Sequence, residues 1–239
     1  MAVSPGKIGA AWSNKSSADV ASLALPAQTV TIGDLIYVVG TAAAGSAPTS
    51  LVPSDGSNTY TLLQSGTSST LFASVYWAKA VATASITITM TPSASATVAA
   101  LAIELRAQDA TAPVDASNVS TGTSTGGSAF ANTTATATYG SDLALGSVHW
   151  LGASVLSAQT FTPAGTGQNN ETTVSATGAH ACSVALSEVV EAASGSQSFQ
   201  ATLAGSVAYA AVLAAITGSI TATPTVAAGT ASLSATTLL

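Results

Sequence analysis

Gly33-Asp34-Leu35-Ile36-Tyr37-Val38-Val39-Gly40 reads as a tight turn feeding a β-strand. The apolar run is short, bounded by glycines and rich in β-branched and aromatic residues, which favours a strand over a helical segment. Because it does not alternate, both of its faces are expected to be buried. A version of the same signal returns as Gly140-Ser141-Asp142-Leu143-Ala144-Leu145-Gly146-Ser147-Val148.

Working outward, similar elements follow each copy. Pro53-Ser54-Asp55-Gly56-Ser57-Asn58 is a hairpin turn signal, since Asp-Gly supplies the positive φ that hairpin turns need. Thr59 to Leu63 and Leu71 to Ala80 read as strands, the latter carrying Phe72, Val75, Tyr76 and Trp77. Ser85 to Thr91 alternates strictly, so Ile86, Ile88 and Met90 face a core and the threonines face out; Pro92 ends it. Thr97 to Leu105 is a further strand. In the second half Ser183-Val184 matches Ser74-Val75, residues 197–200 match Ile86 to Thr89, and Val207 to Leu213 matches Val98 to Leu105. The offset stays near 110 residues, by subtraction of these positions.

The expected fold is therefore all-β: an antiparallel two-sheet β-sandwich, jelly-roll-like, built from two pseudo-repeated halves. Residues 1–20 are an N-terminal arm or edge strand anchored by Trp12. The sandwich covers 21–219, with half-repeats at about 21–116 and 133–219. Residues 107–132 are a polar linker or crossover, and 220–239 form an uncharged C-terminal arm, extended or adding a strand to a neighbour.

The chain has 239 residues, 47% of them hydrophobic and only 6% charged, against roughly 25% charged in ordinary soluble domains. Its exterior must be built from Ser, Thr, Asn, Gln and Gly, a surface suited to a subunit covered by neighbours. Lys7, Lys15, Lys79 and Arg106 are the only cations, too few and too scattered to neutralise a phosphate backbone or an anionic membrane. A single cysteine, Cys182, allows no intrachain disulfide. The first residues lack the apolar run of a signal peptide, and Val207 to Ile216 is about half the length of a membrane span. Synthesis in a cytoplasm, without export and without membrane insertion, is expected.

Candidate chemistry is sparse. His180 and Cys182 are two residues apart and would share a strand face; a buried cysteine beside a histidine is the favoured reading over a nucleophile pair. His149-Trp150 reads as a packing pair. Glycoside hydrolysis needs two acids across a cleft; Glu188 and Glu191 sit near a strand end, and structural acids are the favoured reading over an active pair. Asp34 and Asp142 read as turn aspartates rather than calcium ligands. No catalytic residue, cofactor or metal is assigned. Trp12, Trp77 and Trp150 are the candidate ligand or interface residues, because exposed aromatic faces suit sugars; core packing is the competing reading for each.

The succession Gly-Asp-Leu, Ser-Asp-Gly-Ser-Asn-Thr-Tyr-Thr, Val-Tyr-Trp-Ala-Lys, Ile-Thr-Ile-Thr-Met, a strand ending at Glu104 and a second Gly-Ser-Asp-Leu resembles the β-sandwich domains in virion proteins of tailed phages, especially those of actinobacterial hosts. The Ala-Ser-Leu-Ser-Ala-Thr arm is similar to segments of minor tail proteins. The resemblance implies a non-enzymatic virion protein, assembled in the host cytoplasm, of minor tail or capsid decoration type. Its partners would be capsid or tail subunits and copies of itself, as in a trimer. A carbohydrate-binding, adhesin-like module contacting a host-surface glycan is the alternative. A hydrolase using His180 or Glu188 is a third reading, which requires a deep pocket around those side chains.

Overall fold

The computed structural model describes residues 2–3, 5–106, 108–109, 111–123, 129–137, 142–152, 155–171, 173–191 and 194–220. Among them every regular element is a strand, and all strand pairs are antiparallel. The first half contains Ala2–Val3 (β1), Gly6–Lys15 (β2), Leu23–Ala24 (β3), Gln28–Val30 (β4), Leu35–Ala43 (β5), Leu51–Ser54 (β6), Thr61–Ser68 (β7), Leu71–Lys79 (β8), Ala84–Ile86 (β9), Thr89–Pro92 (β10) and Thr97–Arg106 (β11). The second contains Val114–Thr123 (β12), Ala129–Ala137 (β13), Leu143–Leu151 (β14), Leu156–Thr162 (β15), Thr166–Asn170 (β16), Val174–Ala176 (β17), Cys182–Val190 (β18), Gly195–Leu203 (β19), Ala208–Ile216 (β20) and Ser219–Ile220 (β21).

A large sheet runs β2-β11-β5-β8-β7, and a small sheet β3-β10-β6 packs on it. The second half has the large sheet β12-β20-β14-β18-β16, with β17 also on β18, and the small sheet β13-β19-β15. The two strand orders correspond position by position. The large sheets then pack face to face, β2 over β17, β5 against β14 and β18, and β7 over β12. The result is four layers, small-large-large-small, with three cores. Ile36, Val38, Phe72, Met90 and Val98 belong to the first sandwich; Val148, Trp150, Phe161, Phe199 and Leu213 to the second. Among the described residues the central core takes ten buried side chains from each half, including Leu35, Tyr37 and Leu101 from the first and Leu145, Val184 and Val212 from the second.

This layering explains the continuous apolar runs. All residues of β5 and of β20 are buried, because one face of each strand meets its own small sheet and the other meets the opposite half. The expected all-β antiparallel sandwich class is present, but in place of one two-sheet sandwich over 21–219 each half carries its own large and small sheet, and a third core joins the two. Fully burying one Leu, Ile or Val contributes about 1.5–3 kcal/mol, so the halves are bound as an obligate interface rather than as loosely tethered domains.

Ile86, Ile88 and Met90 are buried as the alternation requires, but the segment splits between β9 and β10. Gly6–Lys15 is an edge strand whose Trp12 is buried. Much of the polar connection is β12, paired along its length with β20; its Ser/Thr-rich sequence carries little apolar signal because it is a half-covered edge. Pairing also moves the repeat register. Leu35 lies opposite Lys79 and Leu143 opposite Val190, so Val75 corresponds to Leu186 rather than Val184. A shift of two residues keeps every side chain on the same face, so the hydrophobic pattern alone does not detect it. Gly140-Ser141 and most of the C-terminal arm, 221–239, lie outside the described residues.

The β7–β12 crossing is tight. A Cβ on Gly66 would lie 2.6 Å from the Thr121 methyl and 3.1 Å from Val119, while Gln64 Nε2 donates to Ser117 Oγ at 3.0 Å. Gly66→Ala is expected to cost about 1–2 kcal/mol through overpacking, read as a lower denaturant midpoint with an unchanged slope.

Candidate functional site

The three tryptophans sit in or against cores. Trp150 is fully buried in the second sandwich, Trp12 is 5% exposed in the first, and Trp77 is half-buried against the central core. Buried rings such as those of Trp12 and Trp150 offer no platform to a sugar, whereas Trp77 keeps part of its surface exposed. His180 lies in the turn before β18, where its Nδ1 is 3.1 Å from Asp19 Oδ2. Asp19 also accepts from Thr97 Oγ1 at 2.7 Å, and these bonds lower its pKa, that from Thr97 most. Cys182 points elsewhere: its thiol donates to the Thr97 carbonyl at 3.3 Å, and burial pushes its pKa up to about 12. The pair is thus a clamp between the halves plus an inert buried thiol. His149 and Trp150 face opposite sides of β14. His149 is held neutral, its pKa taken down to about 3 by burial, with the Gly40 backbone pulling the other way; its Nε2 lies 3.0 Å from Ser147 Oγ.

The two turn aspartates differ. Asp34 accepts a forked contact from Arg106, Nε at 2.9 Å and Nη2 at 2.5 Å from Oδ2, so its carboxylate serves an ion pair rather than the local backbone. Glu104, beside it, accepts from Thr31 N at 2.8 Å, and burial raises its pKa. In the second half the register places Thr217 where Arg106 stands. Asp142 Oδ1 faces Gly218 N at 3.4 Å, and Glu191 occupies the place of Ala80, its N–H donating to the Asp142 carbonyl. Glu191 is 2% exposed and neither carboxylate oxygen has a hydrogen-bond partner. Burial, then Asp142 and Asp115, push its pKa up to about 8. Among the described residues no group of three or more His, Cys, Asp or Glu is placed to hold a metal ion.

A polar region missed by sequence reasoning lies where β2 crosses β16 and β17. Lys7 pairs with Glu171, Glu171 accepts from Asn169 at 2.9 Å, and Asn169 donates to Glu188 at 3.0 Å. Glu188 is thereby fixed at the seam between the halves, its pKa raised mainly by burial. Alongside, Asn170 accepts from Ser187 at 2.6 Å and Gln168 Nε2 donates to the Gln159 carbonyl at 2.8 Å. Two open clefts flank this network. One, of about 200 Å³, is lined by Leu156, Ser157, Ala158, Gln159, Asn170 and Glu171 together with Thr173. The other, of about 270 Å³, is lined by Ser13, Asn14, Lys15, Thr173 and Val174. Thr173 belongs to both. The one sequence signal for this region is the run Gln168-Asn169-Asn170-Glu171, which has no place on a buried strand.

Searches against protein-family models, curated proteins and solved structures return no match to this chain.

Proposed function

We propose that the chain is a non-enzymatic structural subunit of a tailed-phage virion, decorating capsid or tail through contacts with other virion subunits and with copies of itself. We further infer that it is a tandem of two jelly-roll-like units: in each half the strands alternate between the large and the small sheet, except at β7–β8 and β16–β18, which are consecutive in the large sheet, and at β4 and β9, which pair separately. Jelly rolls recur in viral capsid and lectin domains, which is an analogy of fold and not of role.

The observation that carries the reading is an almost uncharged scaffold. Only 6% of residues are charged, and Lys7 and Arg106, two of the four cations, are engaged in ion pairs within the chain. Such a surface is poorly suited to a free monomer, which relies on net and mixed charge for solubility, and well suited to one covered by neighbours. Strands β7 and β16 close their sheets with one side of the backbone unpaired among the described strands, so further strands have edges to join. The pairing of β1 with β21 brings both ends of the described chain to one place.

The test is mass spectrometry and cryo-electron microscopy of gradient-purified particles from cultures expressing the gene. Expected are peptides of the chain at stoichiometric level and a repeated four-layer β density on capsid or tail. A chain absent from particles, sedimenting as a 23.0 kDa monomer, overturns the reading.

A further inference from the structure

We propose that the paired clefts on either side of Thr173 bind a neutral oligosaccharide, wherever the chain resides. The symmetry of the two halves is broken at their crossings. They meet at two equivalent places, β7 over β12 and β2 over β17. The first is closed, with Gly66 admitting Thr121 and Val119. The second is open: the larger cleft lies there, lined by Ser13, Asn14, Lys15, Thr173 and Val174, and the smaller, mainly polar cleft adjoins it within the second half, between β15 and the side chains of Asn170, Glu171 and Thr173.

The chemistry of the lining selects the ligand class. Asn and Gln each present an acceptor and two donors, the complement of a vicinal diol. Gln159 is 8% exposed, lines the smaller cleft, and its Oε1 has no hydrogen-bond partner. A buried amide oxygen left unpaired is destabilising, and a ligand hydroxyl would relieve it. Asn170 Oδ1 is already held by Ser187, so its amide is oriented before any ligand arrives. Glu171 is fixed by Asn169 and its charge is balanced by Lys7, so the smaller cleft carries no net charge to draw an ionic ligand, while Lys15 lines the larger one. Each cleft is smaller than the roughly 300 Å³ of a drug-sized pocket, the scale of single sugar rings. Their sharing of Thr173 suits two linked rings.

The test uses the full ¹⁵N-labelled chain titrated with maltose, cellobiose, lactose and chitobiose and followed by NMR. At least one disaccharide is expected to shift the side-chain amides of Gln159 and Asn170 and the backbone of Thr173 saturably, with a Kd on the order of 1 mM. Gln159→Leu should weaken that binding by about tenfold, the effect of losing one or two hydrogen bonds. Thr173→Trp changes an exposed position and fills the groove, so it should abolish binding while leaving the melting temperature unchanged. No saturable shift with any of the four sugars, shifts that map elsewhere, or shifts that Thr173→Trp leaves intact would overturn the proposal.

Discussion

Replacing Glu191 by Gln is expected to stabilise the fold at about pH 8 and to have little effect near pH 4.5. Glu191 has its pKa raised from 4.5 to about 8, first by burial and then by Asp142 and Asp115. In the unfolded chain it ionises at its ordinary value. Between the two pKa values the folded state holds a proton that the unfolded state has lost, so unfolding is progressively favoured as pH rises. The full contribution is present below about 4.5 and is gone above about 8. Each tenfold difference in proton affinity between the two states is worth roughly 1.4 kcal/mol, so the loss across that window is on the order of 3–5 kcal/mol. Glu191→Gln removes it, since the amide keeps the shape and cannot ionise. Denaturant midpoints of wild type and variant at both ends of the window measure the effect. Equal slopes of stability against pH in the two proteins would show that Glu191 is solvated in solution. Glu104 and Glu188, whose pKa values are also raised, leave a residual slope of the same sign. On the acid side His149 acts in the opposite direction. Its pKa is depressed from 6.5 to about 3, so its contribution is complete above 6.5 and is lost as pH falls towards 3. The two opposing slopes overlap between 4.5 and 6.5, where they offset each other and leave the residual slope from Glu104 and Glu188.

Gly146→Ala is expected to destabilise by about 3 kcal/mol, the upper end of ordinary overpacking. A Cβ at Gly146 would lie 2.2 Å from Cδ2 and 2.4 Å from Cγ of Phe199. The ring is fully buried and has little freedom to retreat, because Phe161 packs against it with centroids 5.2 Å apart. Gly40→Ala is the control. There the intruding atom meets Met90 Cε at 2.6 Å and Leu51 Cδ2 at 2.9 Å, both ends of flexible side chains. Rotamer adjustment should hold that cost below about 1.5 kcal/mol. Thermal or denaturant midpoints separate the two variants. Equal, small losses would mean that Phe199 does not seat beneath β14 in solution.

Much of the fold was legible. Leu35 to Val39, Leu71 to Lys79 and Thr97 to Leu105 lie on strands as read; Asp55 Oδ1 accepts from Ser57 N and Asn58 N at 2.8 Å each, but the turn joins β6 and β7 of different sheets and is not a hairpin. Val114–Thr123 was not legible as a strand, because an edge covered on one side needs few apolar residues. The candidate site was hardly legible at all. Trp12 and Trp150 drew attention as aromatics, yet large rings are also the most valuable core residues. Gln159, Asn170 and Thr173 are ordinary polar residues until β15, β16 and β17 bring them to one seam. Glu191 reads as a strand-end acid, and only packing reveals that its oxygens are dry.

Local chain chemistry dictates the all-β class, the strands buried on both faces, and the turn that launches Leu35. These features depend on side-chain period and backbone φ within a few neighbouring residues. Long-range packing settles the rest: two sandwiches stack into four layers, β7–β12 closes while β2–β17 stays open, and Arg106 pairs with Asp34 while Thr217 takes the corresponding place beside Asp142. Those outcomes depend on contacts between residues far apart in the chain, where a shift of two positions preserves the hydrophobic pattern and changes every partner.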